Sequence, residues 1–244
     1  MLDVHPPHES VHTWTDFFIH IATICVGLLI AIGLEQAVEA LHHRHEREVL
    51  VQEMRAESNR NIAILRTDID RNLEKVSWHR AIMNALQTAQ PRDGVITVAL
   101  PTHEPFLPQI SPSRAVWSVA RTNGKVALLS EREAEIYDRL DTEAQEESLS
   151  EDRQNIALTA LQAQFIRLNL RLDSGATIKL PAAEVSTLTQ NLADTIAAAY
   201  ADAQRDAFYL GASRAVVASA HDRDDFVPYL QKERLALEKR LANP

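Results

Sequence analysis

From Phe17 to Leu34 the chain is apolar almost without interruption, FFIHIATICVGLLIAIGL, and His20 is its one strongly polar side chain. As a helix, this stretch would cover roughly 27 Å at about 1.5 Å per residue, close to the thickness of a bilayer's hydrocarbon core. Trp14 stands just ahead of it, where an aromatic anchor meets the headgroups, and Glu35, Gln36 and Glu39 close it on the other side. The pattern predicts a single transmembrane helix over residues 17–34, after a polar tail over residues 1–16. A cleaved signal peptide fits less well, because residues 1–16 hold no Lys or Arg and Glu35-Gln36 is a poor cleavage site. A buried core helix is the remaining alternative. Arg44, Arg47 and Arg55 follow the apolar run, so the positive-inside rule puts the C-terminal region in the cytoplasm, although interleaved Glu46, Glu48 and Glu53 weaken that bias.

His20, Thr23, Gly27 and Ala31 recur at helical spacing and share one side of this helix. Small residues four apart let two helix backbones approach closely, and a histidine in hydrocarbon is costly unless it faces protein or water. The stripe is a candidate association face. No second apolar span exists in the chain, so its partner would be a second copy or another membrane protein. The plainer alternative is that His20 lies near the interface and that Gly and Ala are simply common in membrane helices.

Beyond Glu35 the period changes to that of amphipathic helices. Residues 35–90 contain one proline-free, glycine-free stretch with Val38, Leu41, Val49, Ile62, Leu65, Ile69, Leu73 and Val76 at three- and four-residue steps. It predicts one long juxtamembrane helix. Residues 91–112 carry five prolines and read as a loop, with Val95–Leu100 a short extended segment inside it. Ser111-Pro112 marks a helix start and Asn123-Gly124 a stop, with Trp117 as the buried anchor between them. Ser130-Glu131-Arg132-Glu133 is a capping box that opens a helix expected to reach about Leu172. Pro181 predicts the first turn of the next helix, ending near Ala220, and a last amphipathic helix covers about 225–241. Long amphipathic helices with short polar connections imply an all-α fold: residues 35–90 and 113–244 form one antiparallel helical bundle.

Composition narrows the functions. The net charge of −9 argues against a nucleic-acid partner. The single cysteine, Cys25, lies in the apolar run, so no intramolecular disulfide forms. Glu35, Glu39, His42 and Glu46 share one helix face just outside the apolar run, and Glu39–His42 has the Glu-x-x-His spacing of di-iron bundles. These four are candidate metal ligands, but such a site needs a second copy of the motif, which only a homodimer supplies. A solvated interfacial face is the simpler reading. His5, His8 and His12 flank Pro6-Pro7 and read as part of a polar tail rather than a metal or haem site. The acidic run from Glu131 to Asp152 fits no calcium loop and reads as a solvated helix face. No nucleophile elbow or phosphate-binding glycine loop is present in the sequence. No catalytic residue and no cofactor is implied, and the aromatic residues read as core.

Two segments, VHTWTDFFIHIATICVGLLIAIGLEQAVEALHHRHE and AVWSVARTNGKVALLSEREAEIYDRL, resemble a set of uncharacterised bacterial single-pass membrane proteins. In these, a GLLIAIGLEQ-like helix leads into a helical domain of about this size. The resemblance implies a membrane-anchored helical protein and carries no activity or functional residue; the expected location is a bacterial inner membrane. In that group a basic residue often precedes the helix, which would favour an extracytoplasmic domain; Thr15 stands at that place here. The sequence therefore points to a non-enzymatic, membrane-anchored interaction or scaffold protein that self-associates. The alternatives are a sensory or ligand-binding bundle, and a metal or haem protein using the juxtamembrane Glu and His residues.

Overall fold

The computed structural model describes residues 14–102, 110–170, 175–220, 222 and 224–242, and the chain falls into two units, Met1–Val49 and Leu50–Pro244. His5, His8 and His12 lie outside the described residues. Five helices and a two-stranded ribbon make up the rest: α1 (Trp14–Thr88), β1 (Val95–Ala99), α2 (Ala115–Thr122), α3 (Glu131–Arg167), β2 (Thr177–Pro181), α4 (Val185–Val217) and α5 (Phe226–Ala242). Short 3-10 turns cover Lys125–Leu128 and Ala182–Glu184. The fold is all-α with one long, N-terminally apolar helix.

Helix α1 begins three residues earlier than the apolar run and contains it whole. In the first unit every described residue up to Leu41 is exposed, including Phe18, Ile24, Leu29 and Ile32. This is the one helix among the described residues that is long and apolar enough to cross a membrane, and none of its apolar window is buried.

In the second unit the apolar stripe of α1 is buried at Leu50, Met54, Leu65, Ile69, Val76, Ile82 and Leu86. Two hydrophobic clusters form. One joins Leu65 and Ile69 of α1 to Trp117, Ile136, Leu140, Tyr209, Leu210 and Phe226. The other joins Trp78, Ile82 and Leu86 to Ile96, Val98, Leu161, Phe165, Ile178, Leu188 and Leu192. The ribbon supplies part of the second: β1 and β2 pair antiparallel, Thr97 opposite Lys179, and alternate so that Ile96, Val98, Ile178 and Leu180 face inward. The extended segment at 95–100 was legible in the sequence. Its partner was not, because Pro181 reads as a helix start; it ends β2 instead, and α4 opens at Val185.

Helix α2 starts at Ala115 and stops at Asn123, where Gly124 takes φ +71°, a conformation that favours glycine. The capping box at Ser130 is formed in both directions: Ser130 Oγ accepts from the Glu133 amide, and the Ser130 amide donates to Glu133 Oε2 at 2.9 Å. From there α3 runs unbroken through the acidic stretch to Arg167. Helices α4 and α5 meet at Gly211, where an added Cβ would lie 3.0 Å from Leu230 Cα and from the Tyr229 carbonyl oxygen.

Candidate functional site

Two places combine several of the features from which function is built: the exposed face of the first unit, and a polar layer inside the second. In the first unit His20, Thr23, Gly27 and Ala31 lie along the helix and are all exposed. Thr23 Oγ1 donates to the Ile19 carbonyl at 2.9 Å, which satisfies its hydroxyl inside its own helix. A Cβ built on Gly27 meets nothing within 4 Å, so this position of the stripe is open in a single chain. Glu35, Glu39, His42 and Glu46 continue along the same helix. His42 Nε2 lies 3.8 Å from Glu46 Oε2, and His43 Nε2 lies 4.0 Å from Glu39 Oε1. These are one-turn pairs within one helix. No group of three or more His, Cys, Asp or Glu side chains among the described residues could hold a metal ion.

The second place was not legible as a site. Asp68 and Asn72 of α1, Glu147 and Gln154 of α3, and Asp202 and Asp206 of α4 are all buried. Asn72 of α1, Glu147 and Gln154 of α3 and Asp202 of α4 lie in sequence between the residues of one hydrophobic cluster and those of the other, while Asp68 and Asp206 lie at the edge of the first cluster. The acidic run was expected to be a solvated face; Asp141, Glu143 and Glu147 are instead buried. Arg139 and Glu143 form an ion pair, and Arg121 Nη1 stands 3.4 Å from Asp141 Oδ2, but Glu147 turns into the layer without such a partner.

The layer is built around the Asn72 amide. Asn72 Nδ2 donates to Asp202 Oδ2 at 3.0 Å and to Asp206 Oδ2 at 3.1 Å, which uses both of its hydrogens. Asn72 Oδ1 accepts from Gln154 Nε2 at 2.9 Å, and Gln154 Oε1 accepts from Lys75 Nζ at 3.0 Å. A chain of hydrogen bonds therefore runs from an α1 ammonium through an α3 amide and an α1 amide to two α4 carboxyls. Asp202 Oδ1 has no hydrogen-bond partner although Asp202 is 1% exposed. Asp68 is held by Arg71 at 3.0 Å.

Desolvation dominates the proton affinities here. Burial, then the neighbouring Glu151 and Asp202, push the Glu147 carboxyl up to about 8. Burial raises Asp202 to about 6 against the opposing hydrogen bond from Asn72. Asp206 is raised well above the usual carboxylate range by burial and by Asp202 and Glu147. Burial lowers Lys75 despite the aspartates nearby.

A second buried network clamps α2. Asn61 Nδ2 donates to the Ser113 carbonyl at 2.6 Å and to Tyr209 OH at 2.9 Å, while Asn61 Oδ1 accepts from the Ser113 amide at 2.9 Å. Glu57 Oε1 accepts from Ser113 Oγ at 2.6 Å and from the Val116 amide at 3.3 Å, placing a carboxylate at the start of α2. This is a structural anchor rather than a reactive group. An open groove of about 700 Å³ runs beside α1 and the end of α5, lined among others by Leu73, Ser77, Arg80 and Leu241, and Arg240 reaches Asp70 at 2.7 Å across it.

No protein-family model, no curated protein and no solved structure matches this chain.

Proposed function

We propose that the chain is a membrane-anchored, non-enzymatic interaction protein, single-pass in a bacterial inner membrane, that self-associates through the His20/Thr23/Gly27/Ala31 face. One observation carries the reading: twelve large apolar side chains between Trp14 and Leu34 are exposed. At about 1.5–3 kcal/mol for each such side chain left in water, the segment carries a penalty on the order of 20 kcal/mol, more than the whole stability of a typical domain. A lipid bilayer removes it. The stripe of small residues then offers a second copy, or another membrane protein, a surface that permits close backbone contact.

The second unit supplies the interaction domain, which we read as an antiparallel bundle. Cross-helix pairs favour that arrangement, since residue numbers fall on α3 as they rise on α4: Gln164 with Asn191, and Glu146 with Arg205. The same holds for α1 against α4, where Asn61 meets Tyr209 and Asn72 meets Asp202.

The test is the mass of the detergent-solubilised protein, wild type beside Gly27→Leu. An oligomer that weakens in Gly27→Leu supports assembly through this face. A monomeric wild type, or an oligomer indifferent to Gly27→Leu, overturns it.

A further inference from the structure

The polar layer contains more carboxyl groups than the cations around it can balance. Facing one another are Asp68, Arg71 and Lys75 from α1, Glu147 and Glu151 from α3, and Asp202 and Asp206 from α4, with Arg114 approaching from the start of α2. Arg71 is committed to Asp68. Glu151 has a partner of its own outside the layer, since Ser111 Oγ donates to its Oε2 at 3.2 Å. That leaves Glu147, Asp202 and Asp206 to Lys75, which has no direct hydrogen bond to the aspartates and reaches them through the Asn72 amide, at 3.5 Å, and through Gln154 and Asn72. Arg114 is half exposed and stands 3.9 Å from Asp141.

The hydrogen-bond count shows the same shortage. Two aspartates one turn apart on α4 share the two hydrogens of one asparagine, Ser150 of α3 adds one hydrogen bond to Asp202, and Asp202 Oδ1 still accepts from nothing. Two buried carboxylates on one amide cannot both stay ionised at low cost, and an orphaned buried oxygen adds to that cost. A proton on one aspartate relieves both problems, since it removes a charge and turns an acceptor into a donor.

We infer that the junction of α1, α3 and α4 around Asn72 is a proton-operated latch, closed while Glu147, Asp202 and Asp206 hold protons and released at α3 when they lose them. Helix α3 is the part that moves. Asp202 and Asp206 sit on one helix and cannot separate from each other, whereas Glu147 leaves the layer if α3 shifts, and the side chains that tie α3 to the layer are neutral, Gln154 to Asn72 and Ser150 to Asp202. Release would free the residues on both sides of the layer, Ala144 toward one cluster and Leu161 toward the other, and so expose apolar surface on demand. The proton affinities of Glu147, about 8, and Asp202, about 6, place the transition in the neutral range rather than at strongly acid pH, and Asp206 is raised in the same direction.

Hydrogen–deuterium exchange on the full chain in detergent tests this, with rates corrected for the intrinsic effect of pH. Between about pH 5.5 and about pH 8.5, opening of the α3 segment around 143–158 should increase at least about tenfold, since release of one proton gives up to a factor of ten per pH unit. Protection of α5 should change less. Glu147→Gln and Asp206→Asn keep shape and hydrogen bonding without a titrating group, and each should remove most of that increase. Equal corrected protection of α3 at the two pH values overturns the latch, as does a uniform loss over all helices or an undiminished increase in Glu147→Gln. Should Asp206→Asn fail to fold, Glu147→Gln alone decides.

Discussion

Asn61 and Asn72 stand eleven residues apart on α1, and each holds an interior seat where the stripe calls for an apolar side chain. Their amides do what leucine cannot, offering two donors and an acceptor to groups that have no water. For Asn61 these are the Ser113 backbone and Tyr209; truncation orphans the buried Ser113 amide, while Tyr209 OH still donates to the Ser113 carbonyl at 3.2 Å. Asn61→Ala should cost about 2–3 kcal/mol in urea denaturation, while Tyr209→Phe, which leaves Asn61 its bonds to Ser113, should cost about 1 kcal/mol. His79 is another such residue. Its Nδ1 lies 2.9 Å from the Lys75 carbonyl and therefore carries the ring hydrogen, and burial lowers its proton affinity to about 4. The folded chain keeps this ring neutral while the unfolded chain protonates it below about 6.5, so its contribution is lost as pH falls through that interval.

At the scale of elements, most of the fold could be read from residue order. The apolar run, the capping box at Ser130, the Asn123-Gly124 stop and the final helix all followed local rules whose cause lies within a turn or two. What escaped depends on distant partners. Thr177–Pro181 is a strand because Val95–Ala99 lies beside it, and nothing local says so. Ile156 sits at an apolar position of α3 yet is 71% exposed, since the helix turns Gln154 inward instead. The polar layer did leave a trace: the core stripes Leu65–Asn72–Val76, Leu140–Glu147–Leu161 and Leu192–Asp202–Tyr209 each carry polar residues in the middle of an apolar series. One such intrusion reads as noise; three that coincide in space make a layer. Close approach is likewise invisible in sequence. Gly211 and Gly27 are both helical glycines, but only Gly211 has backbone 3.0 Å from where a Cβ would go. Gly211→Ala should destabilise by about 1–3 kcal/mol despite alanine's better helix propensity, because α5 must shift. Gly27→Ala should leave the denaturation midpoint unchanged.

For the whole molecule, the divided core sets the response to pH. In the folded chain Glu147 retains its proton up to about 8, whereas in the unfolded chain it releases it near 4.5. The unfolded state then binds fewer protons, so stability falls as pH rises through that window, and Asp202 and Asp206 act in the same direction. Above about pH 6.5 His79 is neutral in both states and no longer opposes them. Urea midpoints of the full chain in detergent should therefore decline from about pH 6.5 to about pH 8.5, and Glu147→Gln should flatten the decline. A profile that rises over this interval would show that the layer is occupied by charge compensation other than protons.

The contacts that close the interior also set a timetable for synthesis. Asn61 precedes its partner Tyr209 by 148 residues, and Asn72 precedes Asp206 by 134. At about 5–20 residues per second, the second half of α1 waits on the order of ten seconds before the helix that satisfies its buried amides has been made. Through that interval Leu65, Ile69, Ile82 and Leu86 have no α4 to cover them, while the apolar segment ahead of them has already been translated. The nascent chain thus presents two apolar surfaces in succession, the exposed run of the first unit and the stripe of the second that stays uncovered until α4 arrives.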